Sequence, residues 1–196
     1  MNHRIITISR EYCAYGRTIA GFLSDALGIP YYDKDFVKKT AEESGFEASL
    51  VKEEGERLSQ STKRFDSFLE ALHTGYSPAR DDIFNAQCKT ILELSAEPCI
   101  IVGRCANVIL QQAGIPSFDV FLYAEPEARV ARLHELIGDT KGDPLKYIEK
   151  QDEERHTYFR TYTGKHMGDA RLYDICLNIG TLGLERTKEI LLSILQ

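Results

Sequence analysis

The chain has 196 residues, 43% of them hydrophobic and 28% charged, a balance that excludes a disordered or collagen-like polymer. Its formal net charge of −6 argues against a general nucleic-acid binder, whose contact face is basic, but leaves room for a local arginine cluster that takes a small anion. No apolar run approaches the ~20 residues of a membrane helix, so no membrane partner is expected.

In chain order, Ile5, Ile6, Thr7 and Ile8 form a short β-branched run that reads as a buried strand. Ile19, Phe22, Leu23, Ala26 and Leu27 then recur at helical spacing, and Gly28 and Pro30 stop that helix. Residues 30–33 form a second short strand that delivers Asp33 at its end. From residue 34 to about 96 the sequence is polar and helical. It reads as three or four helices broken near Gly45, at 59–62 and at 75–78, the pattern of an inserted substrate-binding subdomain.

Strand signals return at 99–102 and 119–123, followed by helical patterns at 105–112 and 127–137. Residues 147–162 predict a helix charged on nearly every side, 174–178 the last strand and 184–195 the closing helix. Strands alternating with helices predict an α/β fold with a parallel sheet covered on both faces. Ligands of such sheets sit beyond the carboxyl ends of the strands. The N-terminus has no apolar secretory core, and the five scattered cysteines fit neither a zinc site nor a disulfide framework. A cytoplasmic protein is expected.

The turn after the first strand is the first candidate for chemistry, because a strand feeding a helix places backbone N–H groups and the positive helix end around an anion. Against the P-loop pattern G-x-x-x-x-G-K-[ST], the window reads Glu11, Tyr12, Cys13, Ala14, Tyr15, Gly16, Arg17, Thr18. Gly16 and Thr18 match, Arg17 replaces Lys and Glu11 replaces the first Gly. Arginine still pairs phosphate, as a planar fork. Any of the loop's larger residues held at positive φ would be strained. Read alone, the window also fits an ordinary strand–helix turn. Cys13 has two readings, a reactive thiol near a helix N-terminus or simple packing.

Taken together, ITISREY…GRTIA, LGIPYYDKDF, IIVGRCANVIL, FDVFLYAEPEARVARL, QDEERHTYFRTYTGKHMGDARLYDICLN and the closing LGLE segment resemble the cytidylate kinase-like family of nucleoside-monophosphate kinases over almost the whole chain. The resemblance implies a P-loop NTPase-like, five-stranded parallel sheet flanked by helices. It divides a single domain into a core (1–33, 97–127 and 171–196), a helical NMP-binding insertion (about 34–96) and a helical lid (about 128–170). The family's first loop resembles S-R-E-x-G-S-G-G-R, and here Cys13, Ala14 and Tyr15 stand where Gly, Ser and Gly are expected.

Gly103 and Arg104 follow the third strand and correspond to the G-R of the family's G-R-D motif, whose arginine helps hold the acceptor nucleotide; such an arginine forks onto phosphate bidentately. Cys105 replaces that Asp, and Asn107 stands where relatives reading G-R-C-A-D carry theirs. Asp33 either accepts from a base or ribose or N-caps the next helix. The basic residues between 129 and 165 are interleaved with acids, as on a solvated helix; the family pattern singles out Arg132 and Arg155.

The resemblance therefore implies ATP along residues 11–18 with Arg17 on its phosphates, Mg²⁺ on Thr18, and Arg104, Asp33 and Asn107 at the acceptor. Arg17, Arg132 and Arg155 carry catalysis in that reading, and CMP, dCMP or a similar small nucleotide is the substrate. The glycine-poor loop supports a second reading, a non-catalytic nucleotide-binding or regulatory protein on the same fold. A third is a kinase for another small hydroxyl or phosphate acceptor, since fold does not fix substrate.

Overall fold

The computed structural model describes residues 5–33, 78–139 and 142–196. Strands β1 (Ile5–Arg10), β2 (Tyr31–Tyr32), β3 (Cys99–Val102), β4 (Phe118–Tyr123) and β5 (Ile175–Asn178) pair in parallel in the order β2-β3-β1-β4-β5. The helices are α1 (Gly16–Leu27), α2 (Pro78–Leu94), α3 (Ala106–Ala113), α4 (Pro126–Ile137), α5 (Pro144–Thr163), α6 (Ile179–Leu182) and α7 (Leu184–Leu195). The α/β expectation and the five-stranded parallel sheet are both met.

The near-continuous apolar strands follow from burial on two faces. Ile6 and Ile8 of β1 pack with Ile100, Val102, Val120 and Leu122 into a layer closed by Ile19 and Leu23 of α1 and Leu191 of α7. The opposite face carries Ile5, Cys99 and Ile101, covered by Phe84 and Ile91 of α2, Ile109 of α3 and Phe159 of α5. Each fully buried aliphatic side chain contributes roughly 1.5–3 kcal/mol, so the two layers lock β1 at the centre of the sheet.

Differences from the sequence reading lie at element ends. β1 runs on to Arg10 because Ser9 and Arg10 still pair by backbone with Phe121 and Leu122, whatever their side chains. α5 begins at Pro144, before the predicted start, since the Asp143 side chain accepts from the Leu145 N–H at 2.9 Å and proline opens the first turn. It is also less uniformly solvated than its charge suggested, burying Ile148 and Phe159. α2 is the last helix of the predicted insertion; the breaks expected near Gly45 and at 59–62 lie outside the described residues.

Candidate active site

Residues 11–15 carry the chain from β1 into α1. The Ala14 N–H donates to the Glu11 carbonyl at 3.4 Å, and Cys13 (φ 63°) and Tyr15 (φ 57°) take left-handed backbone conformations. A side chain there costs roughly 1–2 kcal/mol, so the loop keeps a glycine-type path without glycine. Packing offsets that cost. Cys13 is buried against Leu133 of α4 and Ile148 of α5, and the Arg132 guanidinium lies over the Tyr15 ring at 4.3 Å. Burial pushes the Cys13 thiol up to about 11, which supports packing over reactivity. The N-cap residue of α1, Tyr15, makes no side-chain cap bond, which leaves first-turn N–H groups for another acceptor.

Helices α4 and α5 close over this loop. The Tyr12 N–H donates to Asp152 Oδ1 at 2.6 Å, and Asp152 is in turn paired with Arg129. Arg129 Nε faces Glu11 Oε2 at 3.5 Å, and the same oxygen accepts from the Ala124 N–H at 3.2 Å. Burial, outweighing both partners, raises the Glu11 carboxyl above its usual range. Arg155 donates from Nη1 to the Arg10 carbonyl at 3.1 Å and stacks over the Tyr12 ring at 5.1 Å. Tyr147 meets that ring edge-on. Arg132 donates to Thr18 Oγ1 at 3.3 Å and pairs with Glu135 at 2.7 Å.

A cleft of about 200 Å³ opens beyond the carboxyl ends of β1 and β3, where parallel sheets hold their ligands. Its walls include Arg10, Arg104, Glu154, Arg155, Tyr158 and Met167. It is smaller than the ~300–1,000 Å³ of a whole small-molecule pocket, a size suited to the anionic end of a ligand. Arg104 reaches it from a turn in which Gly103, Arg104 and Cys105 all have positive φ (81°, 56° and 58°). Its guanidinium lies over the Tyr158 ring at 5.0 Å, and Tyr158 is fixed by donating to Gln87 Oε1 at 2.7 Å. Arg104 Nε is buried with no hydrogen-bond partner among the described residues.

The sequence reading did not select Arg10, and the structure gives it a central place. Burial first, then the guanidiniums of Arg155, Arg17 and Arg104, lower its pKa to about 9, against the opposing charge of Asp33. It is still protonated at neutral pH. A charged residue directly ending a buried strand at the carboxyl edge of the sheet was the signal available. Tyr158 and Asp152 were also missed; each is one polar group in a helix full of them.

Several expected site residues come together. Arg17 Nε pairs with Asp33 Oδ2 at 2.8 Å, joining a residue expected at the donor to one expected at the acceptor. Arg104 and Arg155 share the cleft, and Arg132 meets Thr18. Asn107 does not line the cleft; it is buried and its Nδ2 donates to the Leu172 carbonyl at 3.2 Å.

The comparisons agree with this architecture. A cytidylate kinase of Thermoplasma acidophilum is 25% identical over 177 residues, covering 88% of this chain and 82% of that protein. An uncharacterized protein from Eubacterium ventriosum superposes with a TM-score of 0.73 at 23% identity, over 97% of both chains. The shikimate kinase of Bacteroides thetaiotaomicron does so at 0.53 and 16% identity, also over 97% of both, a likeness of fold alone. The cytidylate kinase-like family model matches residues 5–181, a span that takes in the loop after β1, the arginine turn after β3 and both helices that close on them. The chain belongs to the cytidylate kinase-like family.

Proposed function

We propose that the protein is an ATP-dependent phosphotransferase acting on CMP, dCMP or a similar small acceptor, with the α4–α5 pair as its lid. The observation that carries this reading is the convergence of Arg10, Arg17, Arg104 and Arg155 at the carboxyl edge of the sheet, beside a loop with the backbone path of a phosphate cradle. Phosphoryl transfer depends on positioning and on stabilising charge more than on covalent help from the protein.

Whether the loop fits a triphosphate is tested by Asp152, whose carboxylate occupies the Tyr12 N–H. That N–H thus takes an anionic acceptor, and a phosphate would bind it by displacing Asp152. When bound, ATP supplies the phosphoryl group and Mg²⁺ neutralises phosphate charge; Thr18 would hold the metal, most of whose other ligands come from water and phosphate. Arg17 binds the donor phosphates from the first turn of α1. Arg104 orients the acceptor phosphate from the rigid edge of the sheet, with Asp33 nearby for its ribose or base. Arg132 and Arg155 bring positive charge from the lid to the transferring group, and lid closure excludes water.

The test is a screen of purified protein with ATP·Mg²⁺ against all nucleoside monophosphates. Turnover confined to CMP and dCMP supports the proposal. One observation favours a second reading, nucleotide binding without catalysis: the loop lacks glycine at Cys13 and Tyr15, and one of its N–H groups is already taken by Asp152. Silence across the panel with nucleotide binding retained supports that second reading.

A further inference from the structure

Arg10 is placed at some cost to its surroundings. A Cβ on Gly16 would come within 2.9 Å of Arg10 Cγ, and one on Gly103 would collide with Arg10 Nη1. Two backbone segments thus leave out a side chain to seat the stem and head of one arginine. Its carbonyl accepts from Arg155, but among the described residues its guanidinium has no hydrogen-bond or ion-pair partner. The carboxylate nearest in charge, Asp33, is engaged by Arg17 at 2.8 Å. Glu154 lines the cleft and, among the described residues, makes no ion pair with Arg10.

A desolvated cation surrounded by cations is costly unless something compensates it. Among the described residues the five N–H donors of Arg10 hold no other part of the chain together, so a purely structural explanation lacks a contact there to rest on. Arg104 shares the cleft, and its buried Nε has no hydrogen-bond partner among the described residues. Burial also lowers the pKa of Arg155, the third guanidinium on the cleft wall. Planar forks approaching from a strand end and a turn suit a tetrahedral oxyanion.

We propose that Arg10 is a phosphate-binding residue which, with Arg104, forms a two-guanidinium subsite for the dianionic phosphate of a phosphomonoester, with Arg155 on the same cleft wall for the transferring group. The proposal deepens the phosphotransferase reading and rests on it for which ligand brings the phosphate; the subsite itself is testable without turnover. It places the main cationic contact at the end of β1, outside the glycine-poor loop. It also favours an acceptor that carries a phosphate over one that offers only a hydroxyl.

The experiment compares wild type with Arg10→Met in phosphate-free buffer, adding inorganic phosphate, CMP or cytidine, and reading melting temperature and calorimetric Kd. Wild type should be stabilised by phosphate and by CMP but not by cytidine. Arg10→Met should keep or raise the melting temperature of the ligand-free protein and weaken phosphate and CMP at least tenfold. Gly103→Ala is the second variant. It retains every charge and displaces the Arg10 head, so it should weaken phosphate without removing an arginine.

The proposal fails if wild type gains no stability from phosphate. It also fails if Arg10→Met melts lower while its phosphate-induced rise is intact, because Arg10 is then structural. Absence of turnover, with phosphate binding that depends on Arg10, overturns the kinase reading alone. Turnover in Arg10→Met within twofold of wild type overturns this inference alone.

Discussion

Arg17 illustrates how a single side chain can matter to a ligand and little to the fold. Its pair with Asp33 joins a side chain 52% exposed to one 20% exposed, and ion pairs open to solvent contribute about 0–1 kcal/mol. Arg17→Ala should therefore leave the melting temperature nearly unchanged. Charge-assisted contacts to phosphate contribute on the order of 1.5–3 kcal/mol, so ATP affinity should fall ten- to a hundredfold by calorimetry. Unchanged ATP binding would remove the loop from the site. At Tyr15 two effects oppose each other. Glycine relieves a left-handed conformation worth roughly 1–2 kcal/mol but loses the stacking of Arg132, about 0.5–1 kcal/mol. Tyr15→Gly should then unfold in urea within about 1 kcal/mol of wild type; a loss of several would mean that the ring carries more of the contact with α4 than stacking explains. Glu11 gives a pH signature. Its carboxyl is raised in the fold, so its contribution is present below the unfolded-state value and is lost as pH rises through the folded one. The stability of wild type relative to Glu11→Gln should fall from pH 4 towards neutrality, and a difference that rises instead would reverse the assignment.

The α4–α5 pair is held to the loop by two kinds of contact, one polar through Asp152 and one apolar through Leu133 and Ile148 on Cys13. These can be separated. Asp152→Ala removes the acceptor of the Tyr12 N–H and the partner of Arg129, while the apolar patch stays. If the polar latch sets the fit of these helices, Cys13 becomes accessible, and its alkylation by iodoacetamide, followed by mass spectrometry, should speed up severalfold. Cys88 and Cys105, buried in the opposite layer, should keep their wild-type rates and serve as internal controls. An unchanged Cys13 rate would show that apolar packing alone holds the helices. The sequence marked both helices, but not this docking. Asp152 is one acid in a run of three, Asp152, Glu153 and Glu154, and which of them faces the loop is decided by the angle at which α5 crosses it.

For the molecule as a whole, the proposed division between a rigid sheet and a lid formed by α4 and α5 predicts different kinetic losses. Arg104 comes from the turn after β3, so Arg104→Ala should mainly raise the acceptor KM. Arg155 comes from α5, so Arg155→Ala should mainly lower kcat, by ~10³-fold if its charge acts on the transferring group. Equal, mild effects on both constants would mean that neither arginine has the function assigned to it. The alternating strands and helices were legible because burial on two faces leaves runs such as residues 99–102 wholly apolar, and because Gly28 ends α1 in the left-handed conformation. The family pattern singled out Arg104 and Arg155, which the fold brings to one cleft. It did not single out Arg10, because the charges beside it come from residues 17, 104 and 155, which no local window contains. Nor did it mark the burial of Asn107, whose amide ties α3 to the Leu172 carbonyl. The strand order has a further consequence, in time. β1 is made first and lies at the centre, yet its neighbours are strands that begin at Cys99 and Phe118. At a synthesis rate of about 5–20 residues per second, β1 leaves the ribosome on the order of 5–20 s before its first partner exists. Through that interval the IITISR strand has both edges open, so a nascent-chain crosslinking experiment should capture it on chaperones until β3 and β4 emerge.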